Sequence, residues 1–142
     1  MWAGYWAARL LQMSRAGINV TSRPLRYRRR EVPGRDGVPE IISVPQEKGI
    51  DTRMVVDILS TARTRQWNVA VIYSQDQDLA EVVDEVRAIA KEQDRWVHFC
   101  CAFPSGPNAT AGRGIDNTQW FRMERDFYDA CLDPTDYRPK RS

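Results

Sequence analysis

The stretch that most constrains this chain is Asn68 to Leu79, Asn-Val-Ala-Val-Ile-Tyr-Ser-Gln-Asp-Gln-Asp-Leu. Val69 to Tyr73 form a short, nearly unbroken apolar run, the pattern of a strand buried on both faces in a parallel sheet covered by helices. The run stops at Ser74, and two carboxylates follow at Asp76 and Asp78. Leu79, Val82, Val83, Val86 and Ile89 then recur at helical spacing. The order is buried strand, acidic turn, amphipathic helix, so both acids fall near the carboxyl end of a strand. In open α/β sheets that edge is where ligands and chemistry are usually found.

The other segments arrange themselves around this turn. Trp2, Trp6, Leu10 and Met13 make one helical stripe, which Gly17 ends. Ile18 to Leu25 reads as a strand, with Pro24 marking a strand that finishes or lies at a sheet edge. Arg26 to Pro45 holds Pro33, Gly34, Gly37 and Pro39 and reads as an irregular loop, functional or disordered. Glu47 to Asp51 opens a helix with the stripe Val55, Ile58, Leu59 and Ala62, and Asp57 lies off the face of Asp51. Trp96 to Phe103 reads as a strand, Pro104 to Asn117 as a loop, Gln119 to Met123 as a short strand and Arg125 to Leu132 as a last helical turn or two. The expectation is one domain over residues 1–132, with a flexible tail over residues 133–142 marked by Pro134 and Pro139.

A chain of 142 residues can bury a real core. Its net charge of +2 hides a polarised distribution: between Arg15 and Arg35 stand seven arginines and one acid, Glu31. A basic lobe beside an acidic cluster fits a polyanionic partner held next to a metal site; a solvated arginine-rich loop is the alternative. The three cysteines include the adjacent pair Cys100 and Cys101, and no CxxC or Cys/His spacing lets His98 complete a zinc site. In an extended segment Cys100 and Cys101 point to opposite faces. Reduced, mostly buried thiols fit a cytoplasmic protein. Met1 to Leu11 is interrupted by Arg9 and lacks a signal-peptide pattern, and no apolar run approaches the roughly 20 residues that span a bilayer. No membrane association is expected.

Asp51 at a helix start, with Asp76 and Asp78 after a strand, could gather around one or two hard divalent cations, which want oxygen ligands. Such ions lower the pKa of a bound water and neutralise phosphodiester charge, and basic residues nearby would hold the nucleic acid. The same acids have a plainer explanation. Asp78 and Glu81 have capping-box spacing, Asp76 could cap instead, and Asp51 could be an amino-terminal cap. Spacing leaves both readings open.

The segments Glu-Lys-Gly-Ile-Asp-Thr-Arg-Met-Val-Val-Asp-Ile-Leu and Asn-Val-Ala-Val-Ile-Tyr-Ser-Gln-Asp-Gln-Asp-Leu resemble the second half of a NYN domain, a branch of the PIN-like ribonuclease superfamily. That family opens a helix with Lys-Gly-x-Asp and, some twenty residues on, ends a strand in Ser-Gly-Asp-x-Asp. Lys48, Gly49 and Asp51 match the first motif; Ser74, Asp76 and Asp78 match the second. The resemblance covers about residues 2 to 131. It implies a three-layer α/β/α, Rossmann-like fold with a mainly parallel sheet, Mg2+ or Mn2+ as cofactor, and hydrolysis of RNA. Carried over by position, it makes Asp51, Asp76 and Asp78 metal-site and catalytic acids, Ser74 their support and Lys48 a phosphate contact. Arg23, Arg26, Arg28, Arg29 and Arg30 are candidate RNA contacts on charge alone.

Two departures from the family pattern stand out. Gln75 occupies the usual glycine position, and the family's first strand, which ends in an Asp-Gly-x-Asn motif, has no counterpart before Trp2. The resemblance therefore implies an N-terminally incomplete domain, in which the Val69 to Tyr73 strand keeps an open edge and invites self-association. A non-catalytic RNA-binding or scaffold module of the same fold is the alternative. An unrelated Rossmann-like nucleotide binder is disfavoured by the lack of a Gly-rich phosphate loop.

Overall fold

The computed structural model describes residues 2–34, 36–109 and 112–138, without the side chain of Trp2. The chain divides into two compact units, residues 1–48 with 133–142, and residues 49–132. The division falls at Lys48, where the arginine-rich segment ends and the helix that carries Asp51 begins.

In the first unit, helix α1 (Trp2–Arg15) forms where its stripe places it. It closes at Gly17, whose φ of 84° only glycine adopts at little cost. The Gly17 amide donates to Ser14 O and the Ile18 amide to Met13 O, a Schellman closure. Trp6, Leu11 and Met13 stay exposed. The described part of residues 133–142 is held by local hydrogen bonds. Asp133 accepts from the Tyr137 hydroxyl at 2.6 Å and from the Thr135 amide, which holds its carboxyl at about 2. The Tyr137 ring meets Tyr5 edge-on at 6.0 Å.

Two expectations fail in this unit. Residues 18–25 are not a strand, and residues 26–45 are not an irregular loop. Strands β1 (Arg26–Pro33) and β2 (Pro39–Gln46) instead pair antiparallel from Arg26 opposite Gln46 to Pro33 opposite Pro39. The cluster of prolines and glycines is the hairpin turn: Gly34 donates to Val38 O, Gly37 donates to Gly34 O, and Gly37 has a φ of 74°. A strand exists through its partner, and residues 18–25 find none among the described residues.

The second unit is α/β with a parallel sheet. Strands β3 (Val69–Ile72), β4 (His98–Pro104) and β5 (Gln119–Met123) run parallel in that order, so β3 is an edge strand of the sheet as described. Helix α2 (Ile50–Arg63) precedes β3, α3 (Ala80–Glu92) crosses from β3 to β4, and α4 (Arg125–Ala130) follows β5. Ala70 and Ile72 of β3 share a face with Phe99, Cys101 and Phe103 of β4, and that face packs under Ala62 of α2 and Val82, Val83 and Val86 of α3. Burying each such side chain stabilises by roughly 1.5–3 kcal/mol. An exposed pair such as Arg53 with Asp57 is screened by water and contributes little, so the core decides the arrangement.

The expected burial of the β3 segment on both faces is also corrected. Val69, Val71 and Tyr73 point to the opposite face and are 53, 49 and 72% exposed, because α2 and α3 both lie on the other side. The start of β3 is tied to the helix ends by Arg95, which donates to the carbonyls of Ala62 and Trp67, each at 2.7 Å. Among the described residues no helix is long and apolar enough to cross a membrane.

Gly114 sits against this core, where an added Cβ would lie 2.8 Å from Phe103, 2.9 Å from the Trp120 ring and 3.0 Å from Cys101 Sγ. Gly114→Ala should lower stability by about 1–3 kcal/mol by overpacking. Gly112→Ala, in open space, should stay within ~0.5 kcal/mol of wild type. Urea midpoints for the two variants check the pair, and equal midpoints would contradict the packing described.

Candidate functional site

The turn after β3 is built by short side chains bonding to their own backbone. Ser74 Oγ accepts from the Asp76 amide at 3.1 Å, and Asp76 Oδ1 accepts from the Asp78 amide at 3.1 Å. Asp76 thus caps a 3₁₀ turn over Gln77–Leu79, and Leu79, 2% exposed, plugs that turn into the core. Asp76 and Asp78 themselves are exposed, beyond the carboxyl end of a parallel strand.

The residues between the acids hold the turn to the loop before β5. Gln75 Nε2 donates to Arg113 O at 2.9 Å, and Gln77 Nε2 donates to Gly114 O at 2.8 Å. Gln77 Oε1 accepts from the Asp116 amide at 3.2 Å, so both ends of that side-chain amide are used. Beneath them the Cys101 thiol donates to Ser74 O at 2.8 Å and accepts from the Ile115 amide. Cys101 is buried, Cys100 half-buried and Cys131 exposed, so the adjacent pair do face opposite ways. Burial, and then the neighbouring Cys101, pushes the Cys100 thiol up. On the clamped loop Arg113 pairs with Asp116 through two donors, the closest at 2.5 Å, which raises the guanidinium pKa.

Asp51 is exposed one residue inside α2. It is not the cap: Gly49 takes that position with a φ of 84°, and no side chain caps the helix. Asp78 does not cap α3 either, whose cap position is Leu79. Asp57 pairs sideways with Arg53 at 2.8 Å, which lowers its carboxyl pKa. Among the described residues no three or more His, Cys, Asp or Glu side chains gather so as to hold a metal ion. The structure therefore does not assemble Asp51, Asp76 and Asp78 into a three-carboxylate group; the Asp76 carboxylate is turned back onto the Asp78 amide. The donors are nevertheless of the right kind. Exposed carboxylates are the hard oxygen ligands magnesium and manganese take, commonly only one or two from protein.

Lys48 and Arg23 are exposed outside any strand, and Arg26, Arg28, Arg29 and Arg30 are exposed along β1. A groove of about 550 Å3 opens along the hairpin, lined by residues 28–31 of β1 and 44–46 of β2, Arg29 and Glu31 included. A second cleft, of about 530 Å3, lies at the carboxyl ends of β4 and β5 between Pro104, Pro107, Met123 and Tyr128. Neither includes Asp51, Asp76 or Asp78. Sequence reasoning missed the Gln77, Cys101 and 113–116 clamp. Its only signal was Gln75 standing where a glycine was expected.

Removing the Gln77 amide leaves Gly114 O and the Asp116 N–H without their partner. Gln77→Ala should cost about 1 kcal/mol and speed hydrogen exchange at the Asp116 amide. An unchanged exchange rate would mean that the loop is held by other contacts.

A family model described as NYN domain matches residues 6–111. No curated protein and no solved structure matches the chain.

Proposed function

The chain belongs to the NYN domain family, and from that premise we propose that it is a metal-dependent ribonuclease that hydrolyses RNA phosphodiester bonds at the Asp76–Asp78 turn. Membership brings a PIN-like, nuclease-type fold; the three-layer α/β/α arrangement is part of the proposal. The observation that carries it is the exposure of both acids at the carboxyl end of a parallel strand. Asp76 and Asp78, the one or two protein carboxylates such an ion commonly takes, would hold Mg2+ or Mn2+, with water and substrate phosphate completing the shell. When bound, the ion supplies a water of lowered pKa and neutralises charge on the phosphodiester. The chain's own residues do the rest. Ser74 holds the Asp76 backbone amide and the Asp78 amide holds the Asp76 carboxylate, Gln77 sets the turn against residues 114–116, and exposed Lys48 and the basic hairpin attract the phosphate backbone.

A second reading, a non-catalytic RNA-binding module, has one observation in its favour: no three acidic side chains gather among the described residues. Asp76→Asn and Asp78→Asn separate the two readings. Each should lower Mg2+- or Mn2+-dependent cleavage of single-stranded RNA at least 100-fold, while binding of the same RNA in EDTA stays unchanged. A wild-type chain that binds RNA and cleaves none of it with either ion would favour the binding module.

A further inference from the structure

We infer that the β1–β2 hairpin grips single-stranded RNA by its phosphates through one face only, that of Arg26, Arg28 and Arg30, and that Arg29 takes no part. The inference rests on the reading of RNA as partner and adds how the strand is held. Side chains alternate between the faces of a strand, and residues opposite each other across a ladder share a face. One face carries Arg26 opposite Gln46, Arg28 opposite Val44, Arg30 opposite Ile42 and Val32 opposite Glu40, three arginines against one acid. The other carries Tyr27 opposite Pro45, Arg29 opposite Ser43 and Glu31 opposite Ile41, one arginine against one acid, so its formal charges sum to zero.

The charge on the first face is also unpaired. The exposed side chains of Arg26, Arg28 and Arg30, like that of Arg29, have no ion-pair or hydrogen-bond partner among the described residues; the three differ from Arg29 in standing on the face with net positive charge. In residues 49–132 the arginines are occupied instead, as Arg53 with Asp57, Arg87 with Asp84, Arg113 with Asp116 and Arg125 with Asp129. Alternate side chains on a strand stand ~7 Å apart, so the arginines form an evenly stepped row. Beside it runs a second row, Gln46, Val44 and Ile42, that is mostly apolar. A nucleic-acid strand presents these two rows, charged phosphates along one side and sugars and bases along the other. An acidic peptide would match the charged row and leave the apolar one uncovered.

The test is binding of a mixed-sequence single-stranded RNA oligonucleotide by the full chain in EDTA, over a range of salt. Each variant removes one charge from an exposed strand position, and thermal melts confirm that folding is kept. Arg28→Ala and Arg30→Ala should each shallow the slope of log affinity against log salt by about 0.7, with Arg29→Ala indistinguishable from wild type. An equal change in Arg29→Ala would overturn the one-face assignment. No change in Arg28→Ala and Arg30→Ala would overturn the contact, and polyglutamate displacing the RNA at matched charge concentration would make the partner an acidic peptide. EDTA suppresses metal-dependent cleavage, so a chain that binds in this pattern and never cleaves RNA refutes the hydrolysis and upholds the hairpin face.

Discussion

Everything at the candidate site depends on the burial of one sheet face. Ile72, Phe99, Cys101 and Phe103 lie under α2 and α3, and that packing decides where β3 stops. Because Leu79 and Val83 are drawn into the same core, the chain must turn between Ile72 and Leu79 and expose what lies between them. Asp76 and Asp78 are held outward by apolar contacts on either side of them, not by contacts of their own carboxylates with distant groups. The opposite face of β3, with Val69, Val71 and Tyr73, has no such cover among the described residues.

A second layer of control is polar. Ser74, Gln77 and Cys101 convert the turn from a simple strand end into a fixed junction with residues 113–116. Glutamine at position 75 reaches the Arg113 carbonyl, a contact that the glycine of the family pattern cannot make. Replacing that glycine therefore adds a tether to the turn. The charges are sorted as well. Most arginines of residues 49–132 are spent on ion pairs and carbonyls, while those of the hairpin remain available to an anion.

The legible parts of the sequence were those where burial imposes a period. The stripes of α2 and α3 and the apolar runs of β3 and β4 announce themselves because one side of each must leave water. The hairpin was illegible for the opposite reason: nearly every residue of β1 and β2 is exposed, so no alternation of apolar and polar residues marks it. Ile18 to Leu25 showed alternation without a partner, and pattern alone cannot supply one. The clamp was hidden because it joins residues 39 apart, Gln77 and Asp116, through a register fixed only when β4 and β5 pair. For the acids, the motifs located Asp76 and Asp78 correctly at a strand end. They could not say that Asp76 would also cap its own turn.

The central claim is that this turn holds a divalent cation, and it can be tested without activity. Titrating Mn2+ into isotopically labelled chain and following backbone amide signals reads proximity to the ion directly. The account predicts broadening strongest at residues 74–79 and fading along α3 and β4 with distance from the turn, and loss of the effect in Asp76→Asn. Broadening centred on other acids, such as Asp133 or Asp136, or none at stoichiometric ion, would contradict it.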